Sequence, residues 1–179
     1  ESTAAFSGFG GPKAMVESSE GGANMLMGIG INTGGYNYRA VGVKWMANAD
    51  SYMNDVKFVG GHGGLWKPKP GVEEPRGRWN RPARISSPDN PVAASGMDLA
   101  WDNQYWSLWV TNNGGGTFKD IWTASTYATN GFYANNTSTP GRIYAMSIEH
   151  HVRNEVRFSK VSNWKVYCCL LYTSDAADD

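Results

Sequence analysis

Charge is scarce in this chain. Of 179 residues only 18% are charged, and Lys+Arg and Asp+Glu stand level at 16 each. With no basic excess, no nucleic-acid partner is expected. Cysteine is scarcer still, with two in all, adjacent at Cys168 and Cys169. That spacing gives neither a disulfide framework nor a spaced zinc site. Long apolar runs are missing: no stretch reaches the roughly 18 residues that a bilayer-crossing helix requires, so no membrane partner is expected. Helical periodicity is missing as well, since no long i, i+3, i+4, i+7 stripe with caps occurs.

What the chain has in quantity is glycine (22) and aromatic rings (Trp 8, Tyr 9, Phe 6). So many rings exclude a disordered chain. Short alternating or β-branched and aromatic runs recur between Gly, Asn, Ser, Thr and Pro. They are Met25, Met27, Ile29 and Ile31; then 40–46, 53–59, 106–111, 117–122, 129–134, 142–148, 153–158 and 163–167. Two-residue hairpin signals are nearly lacking, with Asn130-Gly131 the one candidate. A loose echo links Asn54-Asp55-Val56-Lys57-Phe58, Phe118-Lys119-Asp120-Ile121-Trp122 and Asn154-Glu155-Val156-Arg157-Phe158. Short repeated strands without helices or hairpins predict an all-β solenoid with three strands per coil and inward side chains stacked into an apolar column. A β-sandwich is the competing all-β architecture.

Two segments depart from that pattern. Residues 61–104 are too long for an ordinary connection. They carry six prolines, six Lys or Arg side chains, and Trp66, Trp79 and Trp101; they read as an ordered loop excursion from the solenoid flank. The second segment is 168–179. From Cys169 to Asp178 it reads as the in-frame translation of a transposase-type sequencing adapter, and is expected to be a disordered, non-native tail. The start, Glu1-Ser2-Thr3, shows no Met and no signal peptide. Both ends thus read as cuts, leaving residues 1–167 as a partial β-helix domain from a longer chain assembled from environmental reads. The neutrality is provisional for the same reason, because the tail holds Asp175, Asp178 and Asp179 and no base.

Met27-Gly28-Ile29-Gly30-Ile31-Asn32-Thr33-Gly34-Gly35, Arg39-Ala40-Val41-Gly42-Val43-Lys44-Trp45 and Asn54-Asp55-Val56-Lys57-Phe58 form one series. It resembles the N-terminal β-helix of pectate-lyase-superfamily proteins related to family 55 glycoside hydrolases, which are exo-β-1,3-glucanase-like. The run from Ile143 to Val156 is similar to a bacterial branch of that group. The resemblance covers roughly residues 21–167. It implies a right-handed parallel β-helix, secreted to the extracellular space or periplasm and acting on polysaccharide. In family 55 enzymes the sugar lies between two such helices, and the general acid is usually on the second. This chain looks like the first, with a second β-helix expected downstream. The expected function is a β-glucan-type glycoside hydrolase. The alternatives are a polysaccharide lyase of the pectate-lyase type and a non-catalytic glycan-binding, adhesin or tailspike β-helix.

Within that frame the candidate catalytic carboxylates are Glu149, Asp98 and Asp102. Glycoside hydrolysis needs two carboxyls roughly 5 to 10 Å apart. Glu149 stands in Glu149-His150-His151, where a histidine can tune its pKa; alternatively one His packs inward at a turn. Asp98 and Asp102 lie four apart beside Trp101, where they form a paired site or cap a turn. Flat rings with a few polar groups suit sugars, which makes Trp66, Trp79, Trp101, Trp106, His62 and His150 the candidate substrate contacts. The bland reading of the tryptophans is that they pin the long loop, and His62, within Gly60-Gly61-His62-Gly63-Gly64, can simply mark a turn. Adjacent histidines point to opposite sides of a strand and chelate poorly, so neither metal nor cofactor is expected. Asn112-Asn113-Gly114-Gly115-Gly116 reads as a turn between strands, its asparagines bonding to the backbone of neighbouring coils or contacting sugar.

Overall fold

Parallel strands are what this sequence builds, because its connections are too short of hairpin chemistry to reverse direction. The computed structural model describes residues 5–6, 10–33, 37, 39–59, 104–124, 128–149, 151 and 154–172. Among these the strands are β1 (Lys13–Glu17), β2 (Met25–Asn32), β3 (Ala40–Trp45), β4 (Tyr52–Val59), β5 (Gln104–Val110) and β6 (Gly116–Ala124). They continue as β7 (Ala128–Thr137), β8 (Gly141–Tyr144), β9 (Ser147–Glu149), β10 (Asn154–Val161), β11 (Trp164–Tyr167) and β12 (Leu170–Tyr172). They stack in parallel as a β-solenoid of about four turns, with no α-helix among the described residues.

Two sheets form. One has the order β1-β3-β5-β7-β10, and the other β11-β8-β6-β4-β2, with β9 and β12 continuing the later half of β6. Register repeats at short range: Asn130 on β7 pairs with Asn154 on β10, 24 residues later. The interior is the expected apolar column, with Val43, Trp45, Leu108, Val110, Phe132 and Ala134 from the first sheet meeting Met53, Val56, Phe58, Phe118, Ile121, Ile143, Met146 and Ile148 from the second. Phe118 packs edge-on to Trp45 and Phe132 at 6.0 Å between centroids. Each such side chain contributes about 1.5–3 kcal/mol by leaving water.

Each sheet contains a corner, and the two corners are built differently. In the seven-stranded sheet Gly28, Asp55, Asp120, Ala145 and Cys168 all have positive φ, between 50 and 64°. Register stacks them into one column. The left-handed residue bends the strand, so interior side chains come three apart: Met53 and Val56, Phe118 and Ile121, Ile143 and Met146. In the five-stranded sheet two consecutive residues turn inward instead. Ser107 and Leu108 are both interior, between outward Trp106 and Trp109. At the equivalent Gly42 a Cβ would strike the Phe58 ring and the Ser107 carbonyl, so the close approach of the two sheets requires glycine there.

Several expectations are refined. Asn130-Gly131 lies inside β7 and makes no hairpin. Two of the three echo segments are true repeats, with Asn54 paired to Lys119 and Val56 to Ile121; the third lies on the other sheet, in β10. Of the excursion expected at 61–104, residues 61–103 lie outside the described residues, while Gln104 opens β5 and is buried. The tail expected to be disordered from 168 is structured through 172: Cys168 takes the left-handed corner position, Cys169 packs against the core, and β12 pairs with β9.

Candidate functional site

Three outward surfaces carry chemistry. On the five-stranded sheet, one outward row runs Glu17, Lys44, Trp109, Tyr133, Arg157, one residue per coil. Lys44 Nζ pairs with Glu17 at 2.8 Å and lies 5.5 Å from the Trp109 ring centroid. Arg157 caps the other side, 4.8 Å over Tyr133. Trp106 fills the gap between rows, 4.7 Å from Trp109 and 4.8 Å from Tyr133. It is only 4% exposed. Trp109 Nε1 donates to Asn135 Oδ1 at 2.8 Å. The Tyr105 hydroxyl donates to the Gly10 carbonyl, and burial pushes its pKa up against the opposing charge of Arg39. These rings pack on one another, as a second hydrophobic cluster outside the solenoid interior.

The second surface is the later half of the seven-stranded sheet. Beyond the left-handed corner, Ile148 points in with Thr123 and Phe58, so the alternate positions point out. One outward row runs Lys57, Trp122, Ser147, Leu170, and the next contains Val59 and Glu149. Trp122 is 39% exposed, and Lys57 is exposed beside it. Ser147 Oγ donates to Glu149 Oε1 at 2.7 Å, which fixes the carboxylate beside the indole row. An indole face, a hydroxyl, a carboxylate and an ammonium on one flat surface, at about 4.8 Å per rung, are the groups a pyranose ring can engage.

The third surface is the earlier half of the same sheet. Tyr144 and Tyr167 stack at 5.1 Å and 8° with both rings exposed. Arg142 and Lys165 are neighbouring exposed residues one row away. Lys119 Nζ lies 3.2 Å from Asp120 Oδ2, and that hydrogen bond and charge hold the ammonium above the usual lysine range.

A fourth cluster lies inside. His151 Nε2 is 3.0 Å from Thr123 Oγ1 and 3.5 Å from Ser107 Oγ, Thr123 Oγ1 donates to Ser107 Oγ, and Glu155 Oε1 accepts from the His151 backbone N–H rather than from its ring. A hydroxyl, an imidazole and a carboxylate invite comparison with a nucleophilic hydrolase. However, Ser107 and His151 are 4% and 3% exposed within the solenoid, where no substrate carbonyl reaches. The cluster satisfies buried polar groups at the inner corner, where Gly131 leaves the space that the His151 ring takes.

Of the sequence-derived candidates, Glu149 and Trp106 are described, and they lie on different sheets. Asp98, Asp102, Trp66, Trp79, Trp101, His62 and His150 lie outside the described residues. The turn at Asn112 and Asn113 connects β5 to β6, both residues taking positive φ, and Asn113 N–H donates to the Asn136 carbonyl of the neighbouring coil at 3.1 Å. Trp122, Tyr144 and Tyr167 were not singled out by sequence. Strict alternation from Phe118 would turn Trp122 inward, and the left-handed Asp120 reverses that parity. Among the described residues no cluster of three or more His, Cys, Asp or Glu side chains is arranged to hold a metal ion.

Comparison with family models, with curated proteins and with solved structures gave no match to this chain. The parallel β-solenoid therefore stands on its own strand register, and these comparisons show no family for it.

Proposed function

We propose that the chain is the polysaccharide-binding solenoid of a secreted carbohydrate-active protein, of the β-glucan-type glycoside hydrolase class. The observation that supports the reading is the exposed Trp122 indole, in one outward row with Lys57 and Ser147 and one row from Glu149. A glycan laid across the coils stacks a ring on Trp122 and hydrogen-bonds Ser147 and Glu149. Glu149 supplies one of the two carboxyls hydrolysis needs. Its counterpart is sought in Asp98 or Asp102, or on a second β-helix.

A second reading is non-catalytic glycan binding. It is favoured by one feature: in the two outward rows through Trp122 and Glu149, Glu149 is the only carboxylate. The purified chain is to be run in affinity gels against β-1,3-glucan, pectin and a neutral α-glucan, with reducing ends and ultraviolet absorbance followed in parallel. Retarded migration on β-1,3-glucan with new reducing ends, abolished by Glu149→Gln, is the expected outcome. A 4,5-unsaturated product would mean a lyase. Retardation without turnover would assign the binding role alone, and no retardation on any glycan would reject both readings.

A further inference from the structure

We propose that Asn136 accepts an N-linked oligosaccharide when the chain is secreted through a compartment that holds a lipid-diphosphate oligosaccharide donor. Only the secretion in the reading above is required, not the glycan binding. The chain has two Asn-x-Ser/Thr sequences, and they overlap: Asn135-Asn136-Thr137 and Asn136-Thr137-Ser138. In the transfer, the asparagine amide nitrogen bonds to the anomeric carbon of the first sugar. The bond from that carbon to the diphosphate breaks, the lipid diphosphate leaves with the electron pair, and the amide proton passes to water.

One of the two sequences is committed within the fold and the other is open. Asn135 is half-buried, and its Oδ1 accepts the Trp109 Nε1–H at 2.8 Å. The hydroxyl of its sequence belongs to Thr137, which is 3% exposed, donates to the Gly114 carbonyl at 2.6 Å and accepts the Thr139 N–H. Asn136 and the Ser138 that completes its sequence are both exposed. The backbone makes the difference. Asn136 is left-handed at φ 49°, and register sets it beside left-handed Lys160 at φ 55°. As at the other left-handed corners, buried side chains come three apart, here Ala134 and Thr137, and the left-handed residue stands outward. The Asn136 carbonyl accepts the Asn113 N–H, so the neighbouring coil holds that pose. All of β8 and the left-handed Ala145 separate Asn136 from Ser147 and Glu149. An attached glycan therefore stands on a different edge of the coil from the Trp122 row.

The test uses the full 179-residue chain behind an appended, cleavable secretory leader, in cells that N-glycosylate their secreted proteins. Material from the medium and from the cells is analysed alike. One glycan per chain is expected, released by an amidase that converts the linked asparagine to aspartate. Peptide mass mapping is expected to place that conversion at Asn136. Ser138→Ala alters the Asn136 sequence alone and is expected to lose the glycan, whereas Asn135→Gln is expected to keep it. Ser138 is exposed, so Ser138→Ala made in a host without glycosylation should unfold at the wild-type temperature. That match separates a lost acceptor from a lost fold. A wild-type chain without the glycan overturns the proposal. So does conversion at Asn135, or a glycan retained by Ser138→Ala. A missing glycan leaves the Trp122 reading standing, because binding there is measured on the glycan-free chain.

Discussion

The two sheets solve the same problem, turning a strand through a corner, by opposite means. The seven-stranded sheet places a left-handed residue at the bend and turns two consecutive side chains outward, as at Lys119 and Asp120. The five-stranded sheet turns two inward, as at Ser107 and Leu108. The consequence reaches the outer faces. Trp106, Trp109, Tyr105 and Tyr133 gather into a self-packed cluster on one sheet. Trp122, Tyr144 and Tyr167 are left exposed on the other. Four aromatic residues thus pack on one another on one face, and three stand exposed on the other.

The largest effect expected from breaking this comparison lies on either side of one strand wall. Phe118→Ala removes a ring fully buried in the interior and should cost about 3–5 kcal/mol in urea denaturation. Tyr144→Ala, in the outward neighbouring row, should cost about 1 kcal/mol or less. Equal losses would deny the inside–outside assignment. Next come the corners. Gly42→Ala drives a Cβ into the Phe58 ring and the Ser107 carbonyl and should destabilise by about 1–3 kcal/mol. Ala145→Gly releases a left-handed alanine at φ 53° and should stabilise by about 1 kcal/mol. If both signs were reversed, the two corners would have been read the wrong way round.

The smallest effect concerns pH. Burial raises the Tyr105 pKa, so the folded state holds the phenolic proton more tightly than the unfolded state does. Its contribution is intact below the ordinary tyrosine value near 10 and is lost as pH rises through the higher folded value. Denaturation midpoints should therefore fall above that pH, and Tyr105→Phe should flatten the fall.

The architecture was legible because it depends on what the residues cannot do: no helical stripe, no hairpin turns, and short apolar runs that need neighbours above and below. The corners were not legible. A left-handed Asp, Ala or Cys leaves no periodic signal, and one such residue reverses the facing of everything after it. This is why strict alternation from Phe118 would turn Trp122 inward while the structure turns it outward. Trp106 was chosen as a ring beside the long loop, and its burial depends on Trp109 and Tyr133, brought alongside by the next coil and by the bend at Ser107. Glu149 was legible as a strand-end carboxylate, but its Ser147 partner and its neighbouring indole depend on cross-coil register. One inward histidine at a turn was among the readings of the His pair, and His151 takes that place.

The proposed glycan site is the exposed Trp122 face, not the self-packed Trp109 face. Titrating β-1,3-glucan oligosaccharide into the wild-type chain, Trp122→Ala and Trp109→Phe by calorimetry tests this directly. The prediction is at least a tenfold loss of affinity for Trp122→Ala, about 1.4 kcal/mol, with thermal stability nearly unchanged and Trp109→Phe binding like wild type. Wild-type affinity in Trp122→Ala, or an equal loss in Trp109→Phe, would contradict it.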